Sequence, residues 1–349
     1  MPFCTNIDVE SLALLDSDSE TSVNVPKNPT SFRCFCFTFN ACQNHLNHTF
    51  VSPDTNDYDL FFICTQEASS VIHRSIASRF LTDNRSLVCY VQMASIALSF
   101  ICSSSLLPHI SCVSSHRTPD GHLNLPNKGS VSLFFCLHKI PFFISSLHLL
   151  HGEDVSQLKE RCISLIRNIN IFAPFCVHCP STSYAYINRT TFLCGDFNFR
   201  VHGVVRSLAN VVYNRNDLEV LLNNDQLIKI KRNQSVLIDN FVDKFSMSCY
   251  IISKFSEHLI EFLPTYKYDI NSDTLDSSQK QRSPAFTDRI LFRNGQNCSI
   301  KCLEYSSIHQ NTSSDHKPVF GKFEILIDLQ EDDVKRSELT RLYNKCTLL

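Results

Sequence analysis

Phe192-Leu-Cys-Gly-Asp-Phe-Asn-Phe-Arg200 is an apolar run that ends in Gly-Asp-x-Asn. Side chains alternate along a strand, so a carboxylate and an amide two apart at a strand end point the same way, and Asp196 and Asn198 fall on one side. Alone, the segment reads equally well as an Asx-rich turn. Its surroundings favour the strand. From Ser31 to about Asp328, short apolar runs alternate with polar, turn-rich stretches: SFRCFCFTF, LFFIC, LVCYVQMASIALSFIC, VSLFFCL, PFFISSLHL, YINRTTFLCGD, RILF and VFGKFEILI. Their length and their β-branched or aromatic content predict buried strands. Ser69–Leu81, Asp154–Asn168, Asp217–Leu222 and Asp225–Arg232 each open on Ser or Asp, preferred N-cap residues, and predict helices. The fold class is mixed α/β without an internal repeat.

Composition narrows the chemistry. The chain has 349 residues, 32 Lys+Arg against 34 Asp+Glu, 17 Cys and only 7 Gly. A net charge of −2 gives no broad positive field, so coating a nucleic acid is not the expected task. Scarce glycine argues against Rossmann or Walker phosphate loops, so a phosphate site would need side chains or a metal. Residues 1–30 carry SDSETS and scattered Pro and Asn without a period, and are expected to be a disordered lead-in. Met1–Glu20 has no basic segment followed by an apolar one, so a reducing compartment is expected and the Asn-x-Ser/Thr triplets, such as Asn84 and Asn297, are read as chance matches. Cys64, Cys89, Cys136 and Cys194 sit in apolar runs as small hydrophobes. Cys176-Val-His-Cys179 lacks the second pair that a structural zinc site needs. Ser86–Ser115 has no charged residue and Val131–Leu150 is strongly apolar, yet polar residues and Pro interrupt both, so a buried hairpin is expected rather than a membrane span.

Polar groups gather at the ends of the predicted strands. Glu67 closes LFFICTQE, His148 closes PFFISSLHL, Asp196 and Asn198 follow the central run, and Asp288 stands at the mouth of RILF. Ser314-Asp315-His316-Lys317-Pro318 precedes the last strand. An adjacent Asp and His supply acid/base chemistry, although a lone pair of this kind is more often a solvated loop.

TFNACQ, CTQE, SLHLLHG, GDFNFR, PTYKYD, the Lys-x-Arg of SSQKQR, SPAFTDRIL and SDHKPV occur here in an order and spacing that resemble the inositol polyphosphate 5-phosphatases of the endonuclease/exonuclease/phosphatase superfamily. The resemblance covers roughly residues 33–328. It implies one four-layer α/β/β/α sandwich, of the deoxyribonuclease-I type, over 31–328, followed by a tail over 329–349. It also implies that Asn40 and Glu67 hold Mg2+, a hard cation suited to oxygen ligands. Asp196, as general base, and Asn198 would position the attacking water. His148 and His316 would contact the scissile phosphate, with Asp288 or Asp315 fixing the His316 imidazole. Arg200, Tyr266, Lys267, Lys280 and Arg282 would bind substrate, the last four gripping the neighbouring phosphate. No covalent nucleophile is required, and no Cys is expected to act as one. Four positions depart from the family pattern: Leu147 before His148, His151 after it, and Phe286 and Thr287 in place of the usual Trp and Cys.

The chain ends Lys345-Cys346-Thr347-Leu348-Leu349, a C-a-a-X pattern whose final Leu favours geranylgeranylation of Cys346. One prenyl chain anchors weakly, so reversible membrane residence assisted by a prenyl-binding carrier is expected. The tail, PTYKYDI, the Thr-Asp-Arg block and DQLIKIKR resemble the prenylated, lipid-preferring branch of the family. That branch implies phosphatidylinositol 4,5-bisphosphate and 3,4,5-trisphosphate as substrates, on the cytoplasmic face of Golgi, plasma or ciliary membranes. The rivals are a nuclease of the same fold and an inactive phosphoinositide-binding membrane protein.

Overall fold

The period of two in PTSFRCFCFTFN sets the layers. This run forms β1 (Pro29–Asn40), which sends Cys34 and Cys36 into one core and Phe35, Phe37 and Phe39 into another. A strand that is apolar on both faces must be covered on both. The computed structural model describes residues 29–45, 53–152, 155–169, 189–203, 213, 218–232 and 244–329, with side chains for all but 155 and 244–248. The lead-in before residue 29, the Cys176–Cys179 pair and the tail from residue 330, with Cys346, lie outside these residues.

Ten further strands follow: β2 (Leu60–Gln66), β3 (Arg85–Met93), β4 (Ile96–Ser103), β5 (Ile110–Pro119), β6 (Gly129–Leu137), β7 (Ile140–His148), β8 (Thr190–Asp196), β9 (Asp288–Arg293), β10 (Cys298–Ser307) and β11 (Val319–Asp328). They form a six-stranded sheet in the order β10-β11-β1-β2-β4-β3 and a five-stranded sheet in the order β5-β6-β7-β8-β9. Phe100 stacks on Phe135 across the sheets with ring centroids 4.3 Å apart, and Phe62 meets Phe192 at 5.7 Å, so the inner faces share one core. Helix α1 (Ser70–Ala77) covers the outer face of the first sheet through Ile72 and Ile76. The second is covered by α2 (Val155–Ile169), α4 (Gln226–Lys231) and α5 (Lys244–Ser253), while α3 (Glu219–Leu222) is a single turn leading into α4. The fold is the four-layer α/β/β/α sandwich.

Local chemistry accounts for the boundaries. β1 begins at Pro29, two residues before the expected start, and Pro29 and Thr30 pair with Asp328 and Ile327; proline is tolerated at a strand's first residue. The Ser69 hydroxyl accepts from Ile72 N and the Asp225 carboxylate from Ile228 N, the N-caps of α1 and α4. α5 was not predicted, because KFSMSCYIIS spreads its apolar residues without a helical period. Both charge-poor stretches contain antiparallel hairpins. Between β6 and β7 the turn residues His138 and Lys139 have φ of 49° and 68°, the left-handed pair of a tight two-residue turn. Among the described residues no helix is long and apolar enough to cross a membrane. Cys64, Cys136 and Cys194 are fully buried strand thiols, and Cys89 is half-buried.

β7 and β8 run parallel, with Leu147 opposite Gly195. Gly195 has φ +152°, and a Cβ there would meet Leu147 O at 2.1 Å and Leu147 N at 2.7 Å. Gly195→Ala is therefore expected to lower stability by about 2–4 kcal/mol, read from urea unfolding. An unchanged midpoint would show that the β7–β8 pair yields without cost.

Candidate active site

Strand direction brings the polar residues together. β1 and β2 are parallel, as are β7 and β8, so Asn40, Glu67, His148 and Asp196 lie at carboxyl ends of strands. β9 runs antiparallel to β8 and starts at the same rim, with Asp288 opposite Asp196. β11 runs antiparallel to β1, which returns the segment carrying His316 to that rim. Gln66 Nε2 donates to Ser146 Oγ at 3.2 Å across the two sheets just beneath it.

Asp196 is 2% exposed. Its Oδ2 accepts from Asn40 Nδ2 at 3.1 Å and Asn198 Nδ2 at 3.1 Å, and its Oδ1 accepts from Asn198 N at 3.0 Å. His148 Nε2 lies 3.4 Å and His316 Nε2 4.0 Å from the same Oδ2. Burial alone would raise this carboxyl, but the His148 bond and the charges of His316 and Lys128 outweigh it and hold the group far below the carboxylate range. Asn198 takes φ 56°, which Asn tolerates, and also donates from Nδ2 to Leu149 O at 3.0 Å. Glu67 sits at φ 48° with its side chain 39% exposed, 3.7 Å from His148 Nε2 and 3.4 Å from Asn40 Nδ2. Left-handed backbone at a non-glycine residue is strain of the kind that functional sites retain.

The two imidazoles are set differently. His316 Nδ1 is 2.9 Å from Asp288 Oδ2, which also accepts from Thr265 Oγ1 at 2.7 Å and Thr287 Oγ1 at 2.9 Å. Burial opposes the His316 charge, but Asp288, Asp196 and Asp315 raise its pKa to about 9. Of the two carboxylates expected for this imidazole, Asp288 holds it, while Asp315 pairs with Lys267 Nζ at 2.5 Å. His148 is lowered, first by burial and then by Lys128, whose Nζ lies against His148 Nε2. Burial in turn lowers Lys128.

Arg200 Nη2 donates to Asn198 Oδ1 at 2.7 Å, and its guanidinium lies 4.5 Å from the Tyr266 ring, which packs 4.5 Å from the His316 ring. Arg282 is half-buried on a turn closed by Asp276, which accepts from Arg282 N at 2.8 Å, and Lys280 is exposed on the same turn. Asp276 N donates to Lys267 O, tying this turn to Lys267. Leu147 packs into the outer core against the helices, away from the site. Phe286 is buried against Phe262, and Thr287 supplies a hydroxyl to Asp288. His151 is largely exposed, and partial desolvation together with the charges of Lys128, Arg200 and Arg282 lowers its pKa.

Sequence reasoning missed Lys128, Thr265 and Ser314, whose Oγ donates to Asn40 O at 2.7 Å. Lys128 had a signal: in an antiparallel β6–β7 hairpin, the residue before β6 faces the end of β7, and Gly129 pairs with His148. One spacing was also overlooked. Cys194 and Arg200 stand in the Cys-x5-Arg spacing of cysteine-dependent phosphatases. However, Cys194 is fully buried in the inner core and Arg200 bonds Asn198, so no thiol faces the rim at this position.

Residues 37–322 match the family described as Endonuclease/Exonuclease/phosphatase family 2. Over 221 residues the chain is 31% identical to the phosphatidylinositol polyphosphate 5-phosphatase type IV of Pan troglodytes, covering 60% of this chain and 31% of that protein. A longer match, 334 residues at 27% identity, covers 89% of this chain and 31% of the type II inositol 1,4,5-trisphosphate 5-phosphatase of Mus musculus. The chain thus spans about a third of the length of these curated relatives. Among solved structures, the inositol polyphosphate 5-phosphatase domain of SPsynaptojanin, in complex with inositol (1,4)-bisphosphate and calcium ion, gives a TM-score of 0.66 at 23% identity over 92% of each chain. The ferrous NO complex of Cimex nitrophorin gives 0.61 at 18% identity, over 86% of this chain and 100% of that one. Likeness at this level shows the fold alone.

His316 keeps its proton to about 9 in the folded chain, against ~6.5 for an unperturbed imidazole. Its contribution to stability is therefore complete below pH ~6.5 and lost as the pH rises through about 9. Asp288→Asn is expected to lower the His316 pKa by about one pH unit or more, followed by imidazole NMR in the metal-free protein, and to flatten stability across that window. An unmoved titration would assign the proton to the control of Asp196 instead.

Proposed function

The chain belongs to the endonuclease/exonuclease/phosphatase family, and on that premise we propose that it removes the 5-phosphate from phosphatidylinositol 4,5-bisphosphate and 3,4,5-trisphosphate at a membrane surface, with Mg2+. The observation that carries the reading is the buried, ionised Asp196 set between a charged and a neutral imidazole. The names of the relatives support the substrate class.

The residues fit a divalent cation. Asn40 places its amide NH2 between Glu67 Oε1 and Asp196 Oδ2, a weak positive group where two carboxylates converge. Among the described residues no cluster of three or more His, Cys, Asp or Glu could hold a metal. An ion here would have few protein ligands, Glu67 and, once its amide turns so that Oδ1 leaves Cys42 N and faces the site, Asn40, and would keep waters, which is the habit of Mg2+. Once bound, it would neutralise charge on a phosphoryl oxygen.

Phosphate-monoester hydrolysis is very slow without catalysis, and positioning with charge stabilisation supplies most of the acceleration. Asp196 and Asn198 would orient the in-line water, and Asp196 would take its proton. A free Asp196 is a weak base, but an incoming phosphate dianion raises its proton affinity by repulsion. Protonated His316 would donate from Nε2 to a phosphoryl oxygen, its orientation held by Asp288. Neutral His148 and Lys128 would face another oxygen. Arg200, Tyr266, Lys267, Lys280 and Arg282 would grip the substrate, with the Arg side chains offering paired donors to a second phosphate.

A lipid surface is supported by the loop between β5 and β6. It closes through Asp120 N donating to Lys128 O, and exposes Leu123 by 84% and Leu125 by 54% near Lys128 and the rim. Exposed apolar tips beside a cationic site suit a headgroup entering from a bilayer. Geranylgeranylation of Cys346, a prenyl-binding carrier and residence on Golgi, plasma or ciliary membranes belong to the same proposal and rest on the sequence.

Phosphate release from a panel of lipid and soluble inositol phosphates, with Mg2+ and with EDTA, tests the reading. Phosphatidylinositol 4,5-bisphosphate is expected to release phosphate only with Mg2+, and Asp196→Ala to reduce the rate by about a thousandfold or more. Plasmid cleavage without phosphate release would instead select a nuclease, and equal release from wild type and variant would remove Asp196 from the mechanism.

A further inference from the structure

Behind the rim, one amide oxygen carries two donors. Gln226, the first residue of α4, is 2% exposed. Its Oε1 accepts from Arg200 N at 3.0 Å and from Arg161 Nη2 at 3.0 Å, while Gln226 N donates to Arg200 O at 2.9 Å. Both backbone polar groups of Arg200 therefore end on one residue. Arg161 is fully buried, and its hydrogen bonds run to Leu150 O at 3.2 Å, Gly152 O at 2.9 Å and Gln226, all uncharged oxygens. The loop that follows His148, held by Arg161, and the loop after β8 that carries Asn198 thus meet at a single side chain. Asp225 caps the same helix and is held by Arg289 Nη1 at 3.0 Å, so the position of Gln226 is itself fixed from β9.

We infer that Gln226 is a positioning residue for Arg200: by anchoring that backbone on both sides it aims the guanidinium at Asn198 and the adjoining phosphate, while Arg161 ties the His148 loop to the same amide. The inference rests on the phosphoinositide reading for its activity. Removing the amide leaves two buried N–H donors without an acceptor, and small displacements near a reacting centre carry large rate losses.

The test is a cycle of Gln226→Met and Arg200→Met in the Mg2+-loaded full chain, with phosphate release from phosphatidylinositol 4,5-bisphosphate vesicles as readout. Gln226→Met is expected to lower kcat/KM by about 10–100-fold in the wild-type background and to add a clearly smaller loss to Arg200→Met, whereas Gln226→Glu, which keeps an acceptor, should stay within about threefold of wild type. Additive losses, or wild-type activity in Gln226→Met, would overturn the inference. Should Gln226→Met not fold, Gln226→Asn, which withdraws the oxygen by one methylene, takes its place. Hydrogen exchange across residues 197–202 gives a reading independent of activity: faster exchange in the Gln226 variant supports the anchor and unchanged exchange overturns it, even where wild type itself releases no phosphate and the functional reading fails.

Discussion

Asp196 is almost wholly buried yet ionised, a combination that costs several kcal/mol unless neighbouring groups compensate. The compensation comes from both sheets at once. Asn40 reaches it from β1, His148 from β7, Asn198 from the loop after β8 and His316 from the segment before β11. The phenylalanine-rich core between the sheets is non-directional and would tolerate sliding. Hydrogen bonds to a buried carboxylate tolerate very little, and the Gln66–Ser146 bond adds a second polar pin across the same seam. The rim that gathers the polar groups is thus also the place where the two sheets are registered.

The groups around that anion divide the imidazoles. His316 faces Asp288, Asp196 and Asp315 and holds its proton beyond neutrality; His148 faces Lys128 and gives its proton up. A charged donor and a neutral ring, both within 4.0 Å of one carboxylate oxygen, can serve different oxygens of one phosphate. The near-neutral total charge of the chain is no obstacle. Lys128, Arg200, Lys267 and His316 gather at one rim, and a polyanion responds to the local field.

Much of this was legible in the sequence because strand period and strand ends are local properties. Asn40, Glu67, His148, Asp196 and Asp288 close or open apolar runs, so their shared rim followed once the runs were taken as strands. The partner of His316 could not be read, since Asp315 is adjacent in sequence whereas Asp288 is 28 residues away, and only the register of β9 on β8 decides between them. Lys128 sat before a strand whose pairing was expected but whose consequence was not drawn. Arg161 and Gln226 were invisible for a different reason: each lies in a helix, and polar helical residues are ordinarily solvated.

The buried ion cluster at Arg289 shows why such residues are kept. Arg289 is fully buried and bonds Asp225 at 3.0 and 3.2 Å and Glu257 at 2.6 and 2.7 Å. A well-packed apolar replacement of such a cluster is often as stable, so stability is a poor reason for its presence. Direction is a better one. Arg289 follows Asp288 along β9, so its side chain projects to the opposite face, where it fixes the carboxylate that caps α4. One strand therefore orients His316 on its inner side through Asp288 and, through Asp225 and Gln226 on its outer side, the backbone of Arg200. An apolar side chain at 289 could fill the volume, but it could not set the angle of a helix whose first residue accepts from Arg200 N and from Arg161, the residue that holds the loop after β7.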